Sequence, residues 1–426
     1  MEGADERAGH KFGRAKNVFS IEMHSGPGAA LVDRPVLDAP AADDVVFTFS
    51  YLTWGAAARR GWFGTEDRLA RGLVAHEGLR RVLVCDRTRS LPLKLLRERL
   101  AREDTPFPAD ERRALLAPVR LRRSDPSSLR GVARGFAAYD RAIERGARNM
   151  GLEKPVVITT HPLVAGFAEL SWARAVTYYA LDDWTVHPAY RRWWPAYRES
   201  YARIRARGRR VAAVSEVLLR RLAPTTPGVV IPNGLEPLEW MSGGRDAEDC
   251  GLAGSPGGDP AGPLLVYAGT LDARLDVAWL AQTARALPEA TLALVGPLID
   301  APHLRPLRSE PNIAIHPPLP RTQLAGLIRR ADVGLVPHRR SALTEAMSPL
   351  KLYEYLAGGL PVAATDLEPM RGIDPRVILV PEGGDFAAAA RAALALGRTA
   401  EPQRHAFVQA NSWRSRHDAL LELALA

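Results

Sequence analysis

Short apolar runs separated by amphipathic stretches organise the chain from about residue 43 onward. Residues 45–50, 81–85, 155–160, 175–180, 211–214 and 229–232 are brief, mostly apolar runs, as strands buried on both faces are. Between them, 66–76 places Leu69, Leu73 and Val74 at helical spacing, and 131–148 and 189–205 read as further helices. The alternation restarts after residue 262, with strands at 264–268, 291–295, 312–316, 332–337, 361–365 and 377–380. Helices are expected at 276–287, 321–330 and 348–357. Strand–helix alternation predicts parallel sheets covered on both sides, hence an α/β protein of two doubly wound domains. Ligands of such sheets bind at the carboxyl ends of the strands, here in a cleft between the domains. Two last helices, 401–410 and 412–426, have no strand partner and are expected to pack at the domain junction.

Residues 1–42 show no apolar periodicity and read as a disordered leader. Residues 241–262 hold seven glycines and two prolines with hardly any apolar residue, which marks a surface linker. The expected domains are therefore 43–240 and 263–398, with 399–426 as the closing helices. The 426 residues are 46% hydrophobic and 25% charged, which excludes a fibrous, wholly disordered or membrane-embedded chain. The longest apolar stretches, 263–270 and 290–296, fall well short of the ~18 residues that span a bilayer. The polar N-terminus lacks the apolar core of a signal peptide, so a cytoplasmic location is expected. Cys85 and Cys250 are too few for a disulfide framework or a zinc site.

Charge changes the picture. The chain carries a net +9, but residues 43–240 carry +12 and residues 263–426 only +1. A basic half joined to a neutral one suggests that the first half meets something anionic, and Arg-rich genomic bias is the competing reading. Arg191, Arg192, Arg198, Arg203, Arg205, Arg207, Arg209 and Arg210 alternate with Trp193, Trp194, Tyr197 and Tyr201. That composition suits a surface resting on anionic headgroups at the inner membrane face. Arg outnumbers Lys by 52 to 5, so each Lys is informative.

The most informative segment runs from residue 343 to 365. Ser348 is a good N-cap, Pro349 suits the first helical position, and Gly358 and Gly359 supply a stop before the next strand. The helix start then presents free N–H groups to the cleft, a site for phosphate. Lys351, the only Lys after Lys154, lies in the first turn, where a cation opposes the helix dipole. A phosphate partner explains it; a Lys–Glu surface pair is the alternative. Glu354 lies one turn on and could accept both hydroxyls of a ribose.

These residues resemble the nucleotide-sugar-dependent glycosyltransferases of the GT-B fold, particularly family 4 and its cell-wall and exopolysaccharide members. Tyr267, Ala268, Gly269 and Thr270 with Arg274 look like the first strand and loop of that family's donor domain. Leu294 to Pro297, Ala331 to Pro337 and the 348–365 segment follow in the family's order. Ile231, Pro232, Asn233 and Gly234 resemble its acceptor-domain closing turn, and Trp413 its closing helix. Two departures stand out. The family's Glu-x7-Glu would pair Glu354 with position 346, which is Ala346, with Glu345 one residue away. Its Gly-Arg with a downstream Lys-Gly is absent, leaving Arg274 as the replacement cation.

The resemblance implies two Rossmann-like domains and transfer of a sugar from a nucleotide diphosphate-sugar, UDP-sugar being one option, to a glycan or lipid-linked acceptor. It implies retention of configuration; Lys351, Arg274 and the 348–350 helix start would serve without a metal or resident cofactor. Lys351, Glu354, Arg274 and His161 are the expected catalytic residues, and Gly269, Thr270, Arg274, Ser348, Pro349, Leu350, Lys351 and Glu354 the expected donor-binding set. His161 corresponds to a sugar-touching His of related enzymes, and equally suits a helix start before Pro162. Asp182 and Asp183 could bind acceptor hydroxyls or cap the next helix, and Trp54 could offer a ring to a sugar or settle in the core. Two competing functions are a GT-B nucleotide-sugar epimerase or sugar phosphorylase, and a non-catalytic nucleic-acid-binding protein. No nucleic-acid-reading motif is present, so no nucleic acid is expected as a partner.

Overall fold

The computed structural model describes residues 43–91, 106–122, 124–241 and 262–426. The leader and the linker apart from Met241 and Gly262 lie outside the described residues, as do residues 92–105 and 123.

The N-terminal sheet contains β1 (Asp44–Thr48), β2 (Arg81–Cys85), β3 (Arg113–Leu116), β4 (Val156–Thr159), β5 (Ala175–Ala180), β6 (Arg210–Ala213) and β7 (Val229–Val230). Their order is β3-β2-β1-β4-β5-β6-β7, every pair parallel. The C-terminal sheet contains β8 (Leu264–Ala268), β9 (Thr291–Val295), β10 (Ile313–His316), β11 (Val333–Val336), β12 (Val362–Thr365) and β13 (Val377–Val380). Its order is β10-β9-β8-β11-β12-β13, again all parallel. In each sheet the chain winds outward one way and then the other, so a crevice opens between β1 and β4 and between β8 and β11.

Continuous apolar runs form these strands because both faces are covered. In β1, Val45 and Phe47 enter one core and Val46 enters the opposite one. In β8, Leu264 and Val266 point to one side, Leu265 and Tyr267 to the other. Gly334 in β11 faces the Tyr355 ring so closely that a Cβ would overlap it. That approach lets the Tyr355 hydroxyl accept from the Ala268 N–H at 2.7 Å, pinning the Leu350–Ala357 helix to the end of β8.

The final helix, Trp413–Leu425, returns to the N-terminal domain. Leu420, Leu421 and Ala424 join the core around β1, and Arg210 Nη1 donates to the Ala424 carbonyl at 2.6 Å. Trp413 N–H donates to Leu235 O at 2.8 Å, and the Trp413 ring covers Gly234, where a Cβ would lie 2.9 Å from it. The final helix therefore carries the chain from the C-terminal domain back onto the N-terminal core.

Candidate functional site

The β8–β11 crevice holds Lys351. Its Nζ lies 3.2 Å from the Tyr267 hydroxyl, 3.4 Å from His338 Nε2 and 4.6 Å from the centre of the Tyr267 ring. Among the described residues no carboxylate lies within ion-pair distance of it. Burial, with Arg274 nearby, lowers its pKa to about 7. Burial, with Lys351 and Arg274 beside it, holds His338 well below the usual imidazole range, so it stays neutral and can accept from the ammonium. Gly269 permits the arrangement: at φ +151° its missing Cβ leaves the room Lys351 occupies, since an added one would lie 2.9 Å from Cε and Nζ. Thr270 adds its carbonyl, which accepts from the Tyr267 hydroxyl at 3.1 Å.

Four expectations about this wall need correction. Ser348 is not the N-cap: the helix starts at Leu350 behind Pro349, which is extended and makes no side-chain cap. The reason is Asn233, whose N–H donates to Ser348 Oγ at 3.3 Å and whose amide donates to the Ser348 carbonyl at 2.5 Å, so that both groups of Ser348 are engaged across the junction. Lys351 is thus the second helical residue, still in the first turn. Second, Gly358 is right-handed, and Gly359 at φ +84° alone makes the left-handed stop. Third, Glu354 is not open on both oxygens. It is buried, and Oε1 accepts from Arg321 Nη1 at 2.5 Å. Arg321 also binds Glu239 at 2.9 Å, and Glu239 in turn pairs with Arg68 of the N-terminal domain. Fourth, Arg274 is not a free cation, because Nε and Nη2 lie 2.9–3.1 Å from the Asp272 carboxylate.

The N-terminal crevice also holds Glu66, a fully buried carboxylate that belongs to no motif. Ser50 N–H and Oγ and Thr160 Oγ1 donate to Oε1, and Leu52 N–H donates to Oε2 at 3.4 Å. Burial raises its pKa against these four donors. It ties together the loops after β1 and β4, which suits a structural brace. His161 caps its helix: Nδ1 accepts from Leu163 N–H at 3.2 Å. Burial and the Arg87 charge lower its pKa to about 3. Nδ1 being the acceptor, the neutral ring carries its proton on Nε2.

Asp182 and Asp183 divide. Asp183 is buried, accepts from Thr185 N–H and Oγ1, and pairs with Arg221 at 3.0 Å. Arg221 also donates to the Ala342 carbonyl across the junction, so Asp183 braces the domains instead of offering itself to an acceptor. Asp182 is half-buried, and its pKa rises to about 6 through burial, with Arg274 opposing from the other domain. Trp54 is a core residue, 4% exposed, edge-on to Trp62 at 4.6 Å and Phe107 at 4.7 Å, and cannot receive a sugar. The Arg–aromatic stretch is likewise mostly internal. Tyr197 and Tyr201 are buried, and Arg203, Arg207, Arg209 and Arg210 bond to protein groups. Arg191 and Arg198 alone flank Trp194, each 5.8 Å from its ring. Among the described residues no group of three His, Cys, Asp or Glu side chains could hold a metal ion, and no helix is long and apolar enough to cross a membrane.

Residues 262–397 match the family described as Glycosyl transferases group 1. The chain has the GT-B fold and carries a group 1 glycosyl transferase domain. It is similar to sucrose-phosphate synthase from Thermosynechococcus elongatus, with 16% identity and a TM-score of 0.62, covering 89% of this chain and 98% of that one. A trehalose-6-phosphate protein from E. coli bound with UDP-2-fluoro glucose superposes with a TM-score of 0.60 at 13% identity, over 90% and 99% of the two chains. Anabaena HepE in complex with UDP and glucose gives a TM-score of 0.55 at 15% identity, over 89% and 98%. Among curated proteins, the Bacillus subtilis (strain 168) protein described as teichuronic acid biosynthesis glycosyltransferase TuaH is 29% identical over 141 residues. That match spans 32% of this chain and only about a third, 34%, of the relative.

Proposed function

We propose that the protein transfers a sugar from a nucleotide diphosphate-sugar to a glycan or lipid-linked acceptor, with retention and without a metal. The observation that carries this reading is Lys351, a cation in the β8–β11 crevice without a carboxylate partner among the described residues, in the first turn of a helix. A departing nucleoside diphosphate develops negative charge, and a preorganised cation beside helix N–H groups stabilises it in the transition state. Arg274 stays in the site as part of an Asp272 pair, and Glu354 reaches the ribose with its Arg321-free oxygen. The nucleotide-sugar is a substrate, not a resident cofactor. UDP appears in the descriptions of two fold neighbours, which favours a UDP-sugar.

The basic N-terminal domain faces the acceptor. Peripheral contact with an anionic membrane falls to Arg191 and Arg198 with the exposed Leu121, since the other arginines of that stretch, Arg192 on Ser127 Oγ included, are committed. Residue Leu121 is 81% exposed. Incubation with UDP-, GDP- and ADP-sugars and a polyprenyl-linked or glycan acceptor tests the activity. Acceptor-dependent release of nucleoside diphosphate is expected, and conversion of the donor without any acceptor would point to an epimerase.

A further inference from the structure

Four neighbouring strands of the N-terminal sheet, β2, β1, β4 and β5, send their following loops to one recess. Arg87 follows β2, Tyr51 follows β1, His161 follows β4 and Trp184 follows β5. The rings pack together, with the partly exposed Tyr51, His161 and Tyr190 lining the recess and the buried Trp184 backing them. Trp184 lies 6.2 Å from Tyr51, 4.8 Å from Tyr190 and 6.5 Å from His161, to which it is nearly parallel at 9°. Phe136 backs His161 at 5.0 Å.

Arg87 is the odd member of this recess. It is exposed, and among the described residues it has no hydrogen-bond or ion-pair partner. The cations on the facing side are committed: Arg274 to Asp272, and Arg221 to Asp183. The carboxylates near Arg87 are committed too. Glu66 is taken by Ser50, Leu52 and Thr160, and Asp86 accepts from Trp54 N–H at 2.7 Å, while the half-buried Asp182 feels the Arg274 charge from the other domain. Yet the Arg87 charge reaches both His161 and Tyr190. One further donor on the partly exposed face awaits an acceptor: the His161 Nε2–H, which has no partner among the described residues.

We propose that Arg87 and this aromatic recess bind an anionic sugar, so that the acceptor bears a carboxylate or phosphate close to the hydroxyl that is glycosylated. The proposal rests on the transferase reading and names the chemical class of its second substrate. A guanidinium binds either anion through paired N–H groups, and aromatic faces receive the apolar face of a sugar ring. A neutral hexose would gain the ring contact alone. The same wall would therefore discriminate by charge.

The test is calorimetry on the full chain saturated with whichever of UDP, GDP or ADP binds, titrated with glucuronate, glucose 6-phosphate and glucose. At least one anionic sugar should bind about tenfold or more tightly than glucose. The glucuronate and glucose 6-phosphate arms separate a carboxylate from a phosphate. Arg87→Ala should erase the preference while leaving nucleoside diphosphate affinity unchanged, and Arg87→Lys should restore part of it. Equal binding of charged and neutral sugars, binding of none, or a preference that survives Arg87→Ala overturns the proposal. Loss of nucleoside diphosphate affinity in Arg87→Ala also overturns it, because Arg87 would then serve the donor. If no nucleoside diphosphate binds the wild type, the transferase reading itself fails, a distinguishable result.

Discussion

Arg321 Nη1 meets Glu354 Oε1 at 2.5 Å, and both side chains are largely withdrawn from solvent. Arg321 is also stacked within 5.7 Å of the Phe63 ring and 5.5 Å of the Trp240 ring, so it has little freedom to leave. Removing one partner of a buried pair leaves an uncompensated charge, which costs about 3–5 kcal/mol. Arg321→Met should therefore lower the urea unfolding free energy by about that much, as it strands Glu354 and leaves Glu239 with Arg68 alone. Glu354→Gln keeps the shape and should cost less stability, yet lose most donor affinity. Wild-type turnover in a folded Glu354→Gln protein would remove Glu354 from the donor site.

The Lys351 environment makes a pH prediction. With the pKa lowered to about 7, the ammonium is present below that pH and lost above it in the free protein. Affinity for a nucleoside diphosphate should therefore fall as pH rises from 7 to 9, and the fall should be absent from Lys351→Met. Folding runs the other way. A lysine whose folded pKa lies below its unfolded value weakens the folded state at pH values below the unfolded pKa, and this penalty shrinks as pH rises from 7 toward 10. Lys351→Met should accordingly be at least as stable as wild type at neutral pH, read from thermal melts.

Gly269→Ala introduces a Cβ 2.9 Å from Lys351 Nζ at a backbone angle that favours glycine. Displacing the ammonium should weaken nucleoside diphosphate binding at least tenfold, with about 1–3 kcal/mol of destabilisation. An unaltered affinity would show that the Lys351 position is immaterial to the ligand.

The two adjacent aspartates should behave differently. Asp183→Asn breaks contacts to Thr185 and Arg221, and is expected to cost about 1–3 kcal/mol in denaturant unfolding. Asp182→Asn should leave stability unchanged within about 0.5 kcal/mol and alter only acceptor kinetics. Equal effects of both on unfolding would contradict the division of roles.

How much of this was legible in the chain follows from the range of each interaction. Both sheets could be read because runs such as residues 264–268 carry their burial in their own composition. Lys351 stood out because it opposes a helix dipole and interrupts a long Lys-free stretch. The helix cap was misplaced because its cause, Asn233, lies 115 residues away from Ser348. Arg321 was likewise invisible as the partner of Glu354, 33 residues distant. His338 and Glu66 carry no motif; their only signal is a position near the crevice where the strand order reverses, and strand order is not written in any one segment. For Trp54 the sequence leaves a sugar contact and a core position both open, because its burial depends on Phe107, which arrives from a separate part of the chain.

The central claim is that Lys351 receives the diphosphate of a nucleotide donor. Calorimetry of UDP, GDP and ADP against their nucleosides, on wild type and Lys351→Met, tests it most directly. At least one diphosphate should bind wild type, and Lys351→Met should weaken it by roughly 10- to 150-fold, matching a charge-assisted contact of about 1.5–3 kcal/mol, with the nucleoside unchanged. Equal loss for diphosphate and nucleoside, or no binding of any diphosphate to wild type, would contradict the account.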